Sequence, residues 1–288
     1  MSKFKRIKLI LFLYKFFYFL FFTSLTYSLV VLLSRYTMSS LYASYKYIYK
    51  QNSLLVYDLK NYILEVYNNL YIYSLKIFIL LILIYIVKEL LFISKKNVNF
   101  SHCKIFKLNI SENSNKFVIH HEKFHCYFMD SLIFYLSKVI MILLMLFSLR
   151  WILLSISLYF IPNISSINKI VISLVAIFLT YFAILFTKSI LKVTDKQKGL
   201  FEMLADMYAV IITNNYREFQ RKIFINSYNY KLNSVIILII GYIIFLSMAY
   251  KNNFYILFFT IIISIVIIYL HTNVVKIYKN IKEEYATS

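Results

Sequence analysis

Three of the five histidines of the sequence, His120, His121 and His125, lie in one short stretch. On a helix, His121 and His125 project from the same face because they are four residues apart, so their imidazoles could hold one Zn²⁺. Glu122 would lie beside the ion and could take a proton from a bound water whose pKa the metal lowers. The stretch has the His-Glu-x-x-His spacing of zinc peptidases, although the solvated face of an amphipathic helix is an alternative interpretation.

A second acidic pair lies downstream, at Glu202 and Asp206. A catalytic zinc needs a third protein ligand and a fourth position open for water, and Glu202 is a candidate for that third ligand. Asp206 lies four residues later and therefore on the same helix face, where it could accept a hydrogen bond from a ligand histidine and fix its orientation. The sequence therefore predicts one Zn²⁺ per chain, with His121, His125 and Glu202 as ligands and Glu122 as the catalytic residue.

The composition is that of a polytopic membrane protein, with 61% hydrophobic residues, 19% aromatic residues, only two Gly and one Pro. Long apolar runs with so few helix breakers favour an all-α fold that spans the bilayer. Two glycines leave no room for a glycine-rich phosphate loop or a Rossmann fingerprint, so nucleotide chemistry is not expected. The net charge of +20 would suggest nucleic acid in a soluble protein. Here the charges follow the membrane topology, and the expected partners are the lipid bilayer and a membrane-protein or peptide substrate, with no nucleic acid.

Six transmembrane spans are predicted within a single domain, 1–288, at about 9–33, 75–94, 131–160, 169–191, 235–250 and 254–270. The cytosolic active-site segments are then 95–130 and 192–231. Two spans separate His125 from Glu202, so both halves of the site return to the same side of the membrane. The lysines and arginines between spans lie mostly on the inner side, and the outer ones are Arg35, Lys46, Lys50, Lys60 and Lys251. The positive-inside rule therefore places both termini and the site in the cytosol, and a bacterial cell membrane is expected.

Two further segments carry weaker signals. Residues 36–73 are rich in Tyr and have apolar residues at helical spacing, which predicts an amphipathic helix near the outer interface. Residues 104–110 alternate weakly, and a loop is favoured there over a short edge strand. The two cysteines, Cys103 and Cys126, fall in a segment assigned to the cytosol, so reduced thiols are expected.

The two half-sites together resemble a known family. His121-Glu122-x-x-His125 and Glu202-x-x-Ala205-Asp206, separated by a transmembrane hairpin, look like the HtpX-type integral-membrane zinc peptidases and the related CAAX prenyl proteases. The resemblance covers about residues 120–210. It implies a gluzincin-type endopeptidase with the three zinc ligands above and Glu122 as general base and acid. Asp130 matches an Asp often found in the family, and we interpret it as structural, in a capping or ligand-supporting role.

The resemblance does not extend to the substrate groove, because residues 95–119 are much shorter than the region that forms part of the family's cleft. Three functions remain open. The first is a zinc-dependent membrane endopeptidase that hydrolyses membrane proteins or peptides at the cytosolic face. The second is a regulatory sensor-transducer metalloprotease of the beta-lactam-sensor type, whose peptidase core is similar. The third is a non-enzymatic membrane scaffold or transporter component, which predicts that Glu202 lies far from the histidines.

Overall fold

The described part of the chain is almost entirely helical. The computed structural model describes residues 3–49, 65–66, 68–93, 102–104, 107–109, 115–127, 130–160, 165–195, 199–215, 232–250 and 253–286. Its longer elements are α1 (Lys3–Tyr49), α2 (Leu70–Ile93), β1 (His102–Lys104), β2 (Lys107–Asn109), α3 (Lys116–Tyr127), α4 (Asp130–Tyr159), α5 (Ser166–Thr194), α6 (Leu200–Thr213), α7 (Leu232–Ala249) and α8 (Phe254–Ala286).

Six of these helices, namely α1, α2, α4, α5, α7 and α8, are long and apolar enough to cross a membrane. The predicted six-span, all-α architecture is therefore confirmed. Two spans belong to longer helices than expected: α1 continues to Tyr49, and α8 runs to Ala286. Polar residues in these extensions weaken the hydropathy signal without interrupting the helix. The predicted amphipathic helix at 36–73 begins instead as a continuation of α1, and much of that range lies outside the described residues.

Helix α1 is the central element of the bundle. It packs against α2, α4, α7 and α8, and also against the short α6. Side chains such as Phe22, Leu25 and Leu29 are fully buried along it. A transmembrane helix surrounded by other helices can bury a polar residue away from lipid, as the site shows below.

The two short helices α3 and α6 pack extensively against each other. Almost every residue of α6 from Leu200 to Ile211 is buried, as expected for a helix that is apolar nearly all round. It ends at Asn214, whose backbone adopts the left-handed conformation (φ 51°) and whose N–H donates to the Val210 carbonyl. This pairing brings the two sequence motifs together.

Strands β1 and β2 form a small antiparallel hairpin with Cys103 opposite Leu108, and the hairpin packs against α3. The expectation of a loop at 104–110 was therefore wrong, because strands of three residues are too short to show a clear alternation.

Cys126 is disulfide-bonded, and Cys103 is the only other cysteine of the sequence. The expected reduced state is thus also wrong for the structure, since pairing of distant cysteines depends on tertiary proximity.

Close packing of α5 on α7 yields a stability prediction. A Cβ atom added at Gly241 would lie 2.2 Å from the Phe186 ring, and that ring is fully buried. Gly241→Ala should lower the unfolding free energy by about 1–3 kcal/mol through overpacking, measured by thermal unfolding in detergent. Adding Phe186→Leu should recover part of the loss. A double variant whose loss equals the sum of the two single losses would contradict this account.

Candidate metal centre

The described structure brings His121, His125 and Glu202 together as a possible metal site. His121 and His125 lie one turn apart on α3 and are both buried. Glu202 lies in the first turn of α6, with its side chain 18% exposed. The non-enzymatic alternative predicted that Glu202 lies far from the two histidines, whereas the structure places it next to both.

The nitrogen and oxygen atoms of the three side chains lie at distances close to those between the ligands of a tetrahedral metal ion. His121 Nε2 lies 3.1 Å from His125 Nε2, and Glu202 Oε2 and Oε1 lie 3.3 Å and 3.5 Å from these two nitrogens respectively. Metal–ligand bonds of 2.0–2.2 Å in tetrahedral geometry place neighbouring ligand atoms about 3.4 Å apart. The three side chains could therefore surround one metal ion, and two imidazoles with one carboxylate are a donor set compatible with Zn²⁺.

Both histidines are held by a carboxylate on the ring nitrogen away from the site. His121 Nδ1 donates to Asp206 Oδ1 at 2.6 Å, and His125 Nδ1 donates to Asp130 Oδ2 at 2.6 Å. A proton on Nδ1 leaves the Nε2 lone pair directed at the ion, and such a partner raises the basicity of the ligand. Asp206 lies where the sequence predicted it. Asp130 supports the second histidine, a role that the sequence left among several.

Lys15 extends this network into the membrane bundle and was missed in the sequence. Its Nζ lies 2.8 Å from Asp130 Oδ2, donates to the Phe124 carbonyl at 2.6 Å and lies 4.1 Å from the centre of the Phe124 ring. Lys15 is fully buried. The available signal was a lysine inside the apolar run 9–33, because a charge in a span marks a functional or paired position.

The charges of His125 and Glu202 depend on their surroundings in opposite ways. Burial lowers the pKa of the His125 imidazole, but hydrogen bonds and attraction to Asp130 and Glu202 outweigh it and raise that pKa to about 10. Burial raises the pKa of the Glu202 carboxyl, and the two histidines reverse this and hold it well below its usual range. A centre that favours an imidazolium beside a carboxylate is one that a divalent cation could also satisfy, by displacing the proton.

A cavity of about 370 Å³ opens in front of the ligands. Glu122 lines it together with His121, His125 and Glu202, and its side chain is half-buried. Glu122 is thus next to the space in which a metal-bound water and a substrate would meet, as its predicted role requires.

Two polar residues near the motif, His120 and Tyr208, do not belong to the candidate metal group of His121, His125 and Glu202. His120 lies on another face of α3, where burial lowers its pKa and the cations Lys123 and Lys8 lower it further. Tyr208 packs against the rings of Phe12 and Phe124 and does not line the cavity. The nearby cations disfavour a metal ion at His120. His120 therefore serves as a control position for substitutions of the candidate ligands.

Comparison of the chain with protein-family models, with curated proteins and with solved structures finds no match.

The Lys15 contacts predict that this residue positions a metal ligand. Lys15→Met should leave the Asp130 carboxylate buried without its cation and loosen the His125 ring, lowering zinc affinity about 10–100-fold. The measurement is competitive zinc titration of purified protein with a chromophoric chelator. Lys76→Met, at an exposed lysine of α2, is the control and should leave affinity unchanged. Equal affinities of the Lys15 variant and the unaltered protein would contradict the positioning role.

Proposed function

We propose that this protein is a zinc-dependent membrane endopeptidase that hydrolyses peptide bonds of membrane proteins or peptides at the membrane surface. The observation that carries the proposal is the convergence of His121, His125 and Glu202 at tetrahedral spacing, with Glu122 beside them in one cavity. The same residues support the resemblance to HtpX-type and CAAX prenyl peptidases.

The residues of the chain divide the chemistry between them. A zinc ion held by the three ligands would polarise the scissile carbonyl and acidify its water. The Glu122 carboxylate takes a proton from the water whose oxygen bonds to the carbonyl carbon, and then gives that proton to the amine nitrogen as the C–N bond breaks. Asp206 and Asp130 keep the two histidines oriented through the cycle.

The alternatives fit less well. A chance motif in a scaffold or transporter component gives no reason for the carboxylate partners of both histidines. A sensor-transducer of the beta-lactam-sensor type would need an external ligand domain, and the largest predicted external segment, 36–73, is shorter than a typical domain. Part of that segment is also occupied by the end of α1.

Metal content and proteolysis test the proposal together. Purified protein should bind one zinc per chain and cleave a quenched fluorescent peptide. Glu122→Gln should retain zinc and lose at least about a hundredfold in rate, because it removes the general base. His121→Ala and Glu202→Ala should lose zinc, whereas His120→Ala should keep both zinc and activity. Protein that binds no zinc, or cleaves no faster than Glu122→Gln, would refute the proposed function.

The proposed site faces the cytosol, because lysines and arginines concentrate on that side. The disulfide at Cys126 is a feature more typical of oxidising compartments, and reporter fusions measure the side of the membrane directly. With six spans, a reporter fused after Ser288 lies on the same side as α3. A fluorescent protein that matures only in the cytosol should fluoresce there, and an alkaline phosphatase active only after export should be inactive. The reverse pattern would place the site outside.

A further inference from the structure

The cavity in front of the metal centre has two helical walls that both cross the membrane. Tyr85, Lys88 and Glu89 line it from the end of α2, and Ser131, Phe134, Tyr135 and Lys138 line it from the start of α4. The end of α2 and the start of α4 lie on the same side of the membrane because only the segment with α3 separates them. The cavity is thus a cleft between two spans and reaches the metal ligands directly.

Helix α2 is only lightly held in the bundle. Among the described helices, α1 is the one against which it packs extensively. Side chains along most of its length are exposed, including Leu80, Leu83 and Val87. A peripheral span with few buried contacts is the element that can move at low cost in free energy.

Two tyrosine hydroxyls connect α2 to α4 across the cleft. Tyr85 Oη lies 2.5 Å from Ser131 Oγ, and Tyr135 Oη donates to the Leu81 carbonyl at 3.1 Å. The two tyrosine rings lie 5.2 Å apart. These contacts lie within the hydrophobic span of α2, Leu70–Leu90, and they join the two helical walls of the cleft at that depth.

Resting on the function proposed above, we propose that the substrate is a membrane-embedded peptide segment that reaches the metal centre sideways from the bilayer, between α2 and α4. The hydroxyl contacts of Tyr85 and Tyr135 hold these two helices together until the segment enters, and we call this pair of contacts the latch. A peptide bond must leave its helix to be cut, and exposed backbone at membrane depth is tolerated only inside protein or a polar cavity. The cleft offers such surroundings, with Lys88, Glu89 and Lys138 next to the site.

Photo-cross-linking tests the route independently of turnover. The probe is a synthetic single-span peptide with a leucine-rich segment of about 20 residues, in phosphatidylcholine vesicles with zinc-loaded Glu122→Gln protein. Benzoylphenylalanine replaces Phe134, which lines the cleft, or Phe178, which is 62% exposed on α5 and serves as the matched control. We expect at least fivefold more cross-linking from position 134. Equal yields, or more from position 178, would overturn the lateral route.

The latch is tested by removing both hydroxyls. Tyr85→Phe with Tyr135→Phe should raise kcat/KM for the vesicle-embedded peptide by roughly threefold to tenfold, the order expected for one or two weak hydrogen bonds. The ratio of this rate to the rate on a short water-soluble peptide should rise by a similar factor, because the soluble peptide does not need the lateral opening. Tyr181→Phe with Tyr269→Phe, at exposed tyrosines, is the control pair. An unchanged ratio of the two rates would overturn the latch.

The two proposals fail in different ways. Cross-linking at position 134 without any proteolysis by the unaltered protein would support the lateral route and refute the proposed peptidase function. Proteolysis without preferential cross-linking at position 134 would support the peptidase function and indicate that its substrate enters from the aqueous side.

Discussion

The buried contact between Lys15 and Asp130 is the interaction on which the arrangement of the site depends. Each charge alone would cost several kcal/mol in such surroundings, and removal of one partner of a buried pair typically destabilises by about 3–5 kcal/mol. Here the same Asp130 oxygen also accepts a hydrogen bond from His125 Nδ1. The Lys15 ammonium also donates a hydrogen bond to the Phe124 carbonyl. One ion pair therefore fixes α1, the start of α4 and the end of α3 relative to each other. The candidate metal ligand His125 is thus held by the core of the membrane bundle.

The second half of the site is held in a different way. Helix α6 is buried on nearly all sides by apolar contacts, and its two acidic residues face α3. Asp206 and Glu202 reach the same histidine, one on each ring nitrogen. Because α6 is surrounded by packed side chains, these carboxylates have little freedom, which preserves the spacing of the three ligands. Rigid support of this kind is what a catalytic metal centre requires.

The position of the site at the end of the spans connects its chemistry to the membrane. The candidate metal ligands lie on the short helices α3 and α6, whereas α2 and α4 form the walls of the cleft in front of them. The candidate metal ligands thus have packed support on one side, and the cleft in front of them has a peripheral helix as one wall. This arrangement would let a membrane peptidase keep its geometry while it admits a bulky substrate.

The sequence by itself determined the six-span helical architecture, because apolar runs of bilayer length and scarce Gly and Pro leave few other solutions. It also selected His121, His125, Glu202 and Asp206, because spacing on a helix fixes which side chains share a face. Only the tertiary structure decided that Lys15 supports Asp130, that α2 and α4 enclose the cleft and that Cys126 is disulfide-bonded. These contacts join residues far apart in the chain, and local periodicity carries no information about which distant faces meet.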